Sequence, residues 1–317
     1  MEVLDTIFEP LVKVAICRAK GLLLVLLSSP LIAACGGVPI VDVPSTNFNS
    51  RVNHLVIHFT SEDFERSLAI LAGETERRVS AHYLIPQFGD ATYSGDELRV
   101  YSLVSTSDRA WHAGMSHWAG KTGLNDQSIG IEIVNKSGCD EDIAGLGNRT
   151  EFAGSCTFMP FGNEQIDLLI RLLKLTLEQH PDIPPENIIG HADIAPSRKV
   201  DPGPMFPWRQ LFDAGIGAWF DEHRVTELIG LLGQHPLTIE QQQNLLFVYG
   251  YKVAITGKED EQSQLAVRAF QMHFRPANYS GFFDNESVAI LISLLERYRP
   301  RSLSKLAGLP FDLRRLE

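Results

Sequence analysis

Positive charge is scarce in this sequence. Its 28 Lys and Arg face 39 Asp and Glu, leaving a net charge of −11 and a pI near 5.4. A phosphate-binding surface needs clustered cations, so this balance excludes nucleic acid as a partner. A long apolar run is also missing. The stretch from Gly21 to Ala34 is too short, and ends too abruptly, to read as a membrane span. Cysteine is rare, four in 317 residues, and Cys139 and Cys156 lack a spacing that suits zinc. No helical His-Glu-x-x-His arrangement occurs. The rest is ordinary for a globular chain: 44% hydrophobic and 21% charged residues, in a length that allows about two domains.

What is present begins with a targeting pattern. Arg18 and Lys20 precede the apolar run, which closes as Leu31-Ile32-Ala33-Ala34-Cys35-Gly36. Small residues just before a cysteine resemble the lipobox of bacterial lipoproteins. The resemblance implies a signal peptide over 1–34 and a lipid on Cys35. The alternative is a plain secretory signal with an incidental cysteine. Residues 1–16 are long and mixed for the region ahead of a signal core, which leaves a start further in open. Gly36 is not the aspartate that marks inner-membrane retention, so the expected destination is the periplasmic face of the outer membrane. Residues 35–50, with Pro39, Pro44, Ser45 and Thr46, read as a tether. Export meets an oxidising compartment, where Cys139 and Cys156 are expected to pair. They would close a Gly-rich, acidic excursion between Lys136 and Phe158, a loop worth on the order of 3 kcal/mol. Two free thiols are the alternative.

Periodicity outlines the folded part. Residues 53–60, Ala81–Pro86, Leu98–Val104 and Ile129–Val134 read as strands, and Ile188-Ile189-Gly190 as a short strand delivering His191. Glu62–Gly73 reads as a helix with Phe64, Leu68 and Leu71 on one face and Ser61 as its N-cap. Asn163–His180 carries Ile166, Leu169, Ile170, Leu173 and Leu177 on one stripe, an amphipathic helix. The alternation predicts an α/β domain with one central sheet over 51–222. Residues 223–236 read as a linker. Three helices follow within 237–300, over Thr238–Tyr249, Glu261–Phe274 and Asn285–Tyr298. The last two echo each other: Gly257 precedes one and Gly281 the other. The tail 301–317 is short and basic and carries no assignment.

The chemistry gathers in His191-Ala192-Asp193-Ile194-Ala195-Pro196-Ser197-Arg198-Lys199-Val200-Asp201, which a Pro202-Gly203-Pro204 stop follows. His191 and Asp201 are both good zinc ligands, and a loop of this length can return both to one ion. A third candidate, His58, lies in the apolar run Leu55-Val56-Ile57-His58-Phe59. Three protein ligands would leave a fourth position for water, the pattern of a catalytic zinc.

These segments, with Val79–Pro86, Arg109-Ala110-Trp111-His112-Ala113-Gly114 and Ser128–Ile133, resemble the zinc-dependent N-acetylmuramoyl-L-alanine amidases, whose fold is shared with peptidoglycan recognition proteins. The resemblance covers roughly residues 50–300. It implies a mixed central β-sheet flanked by helices, and a small C-terminal three-helix domain like the peptidoglycan-binding units of cell-wall hydrolases. A helical appendage with no ligand is the alternative for that last part. It also implies zinc on His58, His191 and Asp201, peptidoglycan or muropeptides as substrate, and hydrolysis of the bond from muramic acid to L-alanine.

Other roles follow from the same resemblance. Lys199 stands where an ammonium would stabilise the tetrahedral oxyanion, against the alternative of a solvated surface lysine. Glu132 interrupts an apolar strand, as general base and acid or as a carboxylate orienting a ligand histidine. His82 and His112 are expected to line the substrate cleft, as cleft or core hydrogen-bonding groups rather than metal ligands, and Trp111 to stack there on sugar or peptide, with a core aromatic as the alternative. Phe59 departs from the polar residue or tyrosine of many relatives, so no substrate hydrogen bond is implied there. A non-catalytic peptidoglycan-binding protein is the competing reading; such relatives typically lose a zinc ligand, and all three are in place here.

Overall fold

Leu55, Val56 and Ile57 are fully buried, as a strand flanked on both faces requires. They lie at the centre of a five-stranded sheet. A computed structural model of the chain describes residues 41–47, 49–73, 78–139 and 156–306. Cys35, the segment 1–34 and most of the 136–158 excursion lie outside the described residues. From Asn49 onward the described residues form one compact unit.

The sheet strands are β1 (His54–Phe59), β2 (Tyr83–Ile85), β3 (Tyr101–Ser102), β6 (Ser128–Ile133) and β9 (Ile188–Gly190), in the order β3-β2-β6-β1-β9. β2, β6, β1 and β9 run parallel, and β3 is antiparallel to β2, so the sheet is mixed. Two short hairpins, β4 (His117–Trp118) with β5 (Lys121–Thr122) and β7 (Gly138–Cys139) with β8 (Cys156–Thr157), lie outside it. The strand expected over Leu98–Val104 shrinks to Tyr101–Ser102, because it is an edge strand with only β2 to hold it.

Helix α1 (Phe64–Ala72) is capped by Asp63, whose carboxylate accepts the Arg66 N–H at 3.0 Å. Ser61, expected as the cap, sits instead in a left-handed conformation two residues upstream. Helix α2 (Asn163–Gln179) buries Ile166, Leu169, Leu172 and Leu173. The short helices α3 (His191–Ile194) and α4 (Trp208–Asp213) lead to α5 (Glu222–Gln234), α6 (Ile239–Tyr249), α7 (Glu261–Phe274), α8 (Asn285–Tyr298) and α9 (Pro300–Leu303).

The stretch 223–236 is thus a helix, not an irregular linker. Asp221 caps it, and Val225, Leu228 and Leu232 form a buried stripe. The echo between Gly257 and Gly281 has a physical basis. Gln243 Oε1 accepts the Gly257 N–H while its amide donates to Lys258 O and Ser263 Oγ. Gln271 Oε1 accepts the Gly281 N–H while its amide donates to Phe282 O and Ser287 Oγ. Both turns are therefore held by one buried glutamine on the preceding helix. One hydrophobic core runs from the sheet through α2 to α5–α8.

Candidate active site

Parallel pairing brings the site together at the C-terminal ends of the central strands, where open α/β sheets commonly bind ligands. His58 lies opposite Glu132 in the β1–β6 register. Ile57 lies opposite Gly190, so His191, the next residue, emerges beside His58. Gly190 has no room for a side chain, since a Cβ there would sit 2.6 Å from Pro202 Cδ. The Ala192 N–H donates to Asp201 O at 2.7 Å, which folds the loop back and returns Asp201 to the histidines.

His58 Nδ1, His191 Nδ1 and Asp201 Oδ2 form a triangle with sides of 3.0, 2.9 and 3.1 Å, and all three side chains are buried. The hydrogen bonds behind the rings show which atoms carry protons. Ser128 Oγ donates to Leu124 O at 2.6 Å, so it accepts from His112 Nε2–H at 3.1 Å. The bare His112 Nδ1 then accepts His58 Nε2–H at 3.0 Å. Arg198 Nη2 also lies 3.2 Å from His191 Nε2, but its two hydrogens go to the nearer carbonyls of Ala113 and Met115, leaving His191 Nε2–H to donate to Ala113 O. Both Nδ1 atoms therefore turn bare electron pairs toward a carboxylate oxygen. Three such pairs converging within about 3 Å call for a cation between them, a metal ion or a proton. Two imidazoles and one carboxylate are a donor set suited to zinc.

Electrostatics agree with this assignment. Burial pulls His191 down to about 4, against the opposing charge of Asp201, so its ring is neutral near pH 7. Burial also takes His112 well below its usual value.

A cleft of about 790 Å³ opens over the triangle, with Glu132 and Lys199 in its wall and Trp111 at its mouth. Trp111 is 45% exposed. Glu132 Oε2 is buried with no hydrogen-bond partner among the described residues. Burial pushes this carboxyl up to about 7, with His58 and Lys199 opposing.

Two histidines expected to line the cleft have other duties. His82 is fully buried; its Nδ1 accepts the Gly130 N–H at 3.0 Å, so it ties the segment before β2 to β6 and cannot meet substrate. His112 borders the cleft but uses both nitrogens within the protein, on His58 and Ser128. Sequence reading missed Asn125 and Arg198. Asn125 Oδ1 accepts the N–H groups of both His112 and Ala113. Arg198 clamps the 113–115 backbone to the ligand loop. Neither has a local signature, because each acts on backbone groups distant in sequence. Cys139 and Cys156, opposite each other on β7 and β8, form a disulfide.

A family model described as N-acetylmuramoyl-L-alanine amidase matches residues 48–204. The chain is 45% identical over 249 residues to N-acetylmuramoyl-L-alanine amidase AmiD of Escherichia coli K12, an alignment spanning 78% of this chain and 84% of that protein. The chain belongs to the N-acetylmuramoyl-L-alanine amidase family. The crystal structure of AmpDh3 from Pseudomonas aeruginosa matches this amidase with a TM-score of 0.73 at 40% identity, covering 82% of this chain and 99% of that one. AmiD from E. coli, in complex with the substrate anhydro-N-acetylmuramic acid-L-Ala-D-gamma-Glu-L-Lys, matches with a TM-score of 0.68 at 40% identity, covering 81% and 94%. These likenesses reach beyond residue 204, so the C-terminal helices of the amidase belong to the shared fold.

Proposed function

We propose that this amidase hydrolyses the amide joining the lactyl carbonyl of N-acetylmuramic acid, or of its anhydro form, to L-alanine in peptidoglycan or muropeptides. The observation that carries the reading is the triangle of bare donor atoms from His58, His191 and Asp201 at the floor of an open cleft. The AmiD complex with an anhydromuramyl tripeptide supports the substrate class. Zinc held by these three residues would supply the Lewis acidity that makes water a competent nucleophile near neutral pH.

The chain's own residues do the remaining work. Glu132, raised to about 7, takes a proton from the attacking water and later gives it to the departing amine of L-alanine. A carboxyl poised near neutrality suits both halves of that transfer. Lys199, in the same cleft wall, sets a positive charge against the oxyanion that develops on the carbonyl. His112 and Ser128 keep His58 in the tautomer with a bare Nδ1. Trp111 offers an apolar face at the mouth to sugar or peptide.

We further propose that Cys35 carries lipid and holds the enzyme on the periplasmic face of the outer membrane. The run ending Ala33-Ala34-Cys35, followed by a polar tether, supports this.

The test is mass spectrometry of defined muropeptides incubated with the protein, with and without a chelator, together with metal analysis of Asp201→Ala. Cleavage between muramic acid and L-alanine that stops on chelation and returns with zinc is expected. Asp201→Ala is expected to lose both zinc and activity. A variant that keeps its full zinc content and turns over substrate would sink the ligand assignment.

A further inference from the structure

Asp193 lies two residues after His191, is 2% exposed, and plays no part in the chemistry above. A carboxylate buried this deeply is costly unless its oxygens are satisfied. Here three donors converge on it, one from its own turn and two from distant parts of the chain. Oδ2 accepts the Gly190 N–H at 2.7 Å and His273 Nδ1–H at 2.7 Å, and Oδ1 accepts Tyr251 O–H at 2.5 Å. Gly190 immediately precedes His191. Tyr251 follows α6, and His273 lies near the end of α7. His273 is itself stacked on Trp208, with ring centroids 3.8 Å apart and planes 12° from parallel, so its donor is aimed by packing. Tyr251 is fully buried and meets Trp118 edge-on at 5.0 Å. The grip continues past Asp193. Through Ala192 N–H the same short segment bonds Asp201 O, so one fastening steadies both ends of the metal-binding loop.

We infer that the C-terminal helices are part of the metal centre's support: Tyr251 and His273 are positioning residues that, through Asp193, hold His191 in place. This deepens the zinc reading given above and rests on it. An apolar contact would pack the helices equally well. A carboxylate with three aimed donors instead specifies one orientation of the 190–193 backbone, since any other leaves buried charge unpaired.

The experiment uses the full chain with Tyr251→Phe, His273→Ala and His273→Asn. Zinc dissociation constants are measured by competition with a chromogenic chelator, and amide hydrogen exchange over 190–194 is followed in the metal-free proteins. Tyr251→Phe and His273→Ala are expected to weaken zinc binding by about 10- to 100-fold, the usual effect of losing a group that orients a ligand. They are expected to speed exchange over 190–194 while β1 and β6 stay protected. His273→Asn places an amide donor near the former Nδ1 and is expected to restore both. Unchanged zinc affinity and unchanged exchange in folded Tyr251→Phe would overturn the inference, and this variant decides alone if His273→Ala does not fold. Failure of His273→Asn to recover what His273→Ala loses would overturn the hydrogen-bonding role of His273. A wild-type chain that binds no zinc would overturn the zinc reading instead, and the exchange data from metal-free protein still decide the clasp.

Discussion

Glu132 occupies a strand position where an apolar side chain would be more stable, and that cost has a measurable signature. Its carboxyl is raised from 4.5 to about 7, chiefly by burial. A carboxyl raised in the folded state favours folding while protonated. That contribution is present below pH 4.5 and is lost as pH rises toward 7. Glu132→Gln resembles the protonated form at every pH. In metal-free protein it is expected to match wild type near pH 4.5 and to be more stable by about 1–2 kcal/mol at pH 8, after allowing for solvent in the cleft. Urea midpoints across that range check it, and a difference that does not vary with pH would show the carboxyl to be solvated. The residues converging at the site were legible in sequence because their types are unusual where they stand: a histidine or glutamate in an apolar strand, a His and an Asp closing a Pro-rich loop. His82 stands behind the wall, and His112 lines the cleft with both nitrogens engaged, because a sequence motif says that a histidine is near the site, not what its nitrogens meet. Asp193 was overlooked because two of its three partners, Tyr251 and His273, lie far along the chain, where no local pattern connects them to it.

Elements with a strong period were read closely, and those held by a single neighbour were not. Helices α7 and α8 begin and end where their apolar stripes do, each with an Asp cap accepting the N–H of a serine three residues on. β3 was overdrawn because edge pairing, not propensity, decides its length. The linker was misassigned because the stripe of Val225, Leu228 and Leu232 is short and flanked by polar residues. The contact of β6 with the 109–113 segment was invisible in sequence, yet it carries the next expectation. Gly130 faces His112, and a Cβ there would sit 2.5 Å from His112 Nδ1, the atom that accepts from His58. Gly130→Ala is therefore expected to push His112 aside. Overpacking of this kind typically costs about 1–3 kcal/mol. Urea denaturation of the metal-free protein measures that loss, and zinc titration should show weaker binding because His58 loses the partner that sets its tautomer. Wild-type values in both assays would mean that the ring has room to retreat.

At the scale of the whole molecule, the expectation concerns place. The apolar run ending Ala33-Ala34-Cys35 and the tether after it predict a lipid on Cys35. One acyl chain binds membranes only marginally, whereas two or more anchor stably, and bacterial lipoproteins carry several. The protein is therefore expected in the outer-membrane fraction and resistant to release by salt. A flexible tether would keep the enzyme close to the wall without orienting it rigidly, raising its effective concentration on nearby peptidoglycan. The cleft and its metal-binding residues all lie after Asn49 in the sequence, downstream of Cys35 and the tether. Cys35→Ala should thus move the protein out of the membrane fraction while leaving zinc content and turnover of a soluble muropeptide as in wild type. Its action on intact sacculi in cells should fall, because only that substrate depends on proximity. Fractionation with mass spectrometry of the mature N-terminus checks this. Wild-type protein found soluble in the periplasm, with an unmodified N-terminus, would refute the anchor and leave the amidase chemistry untouched.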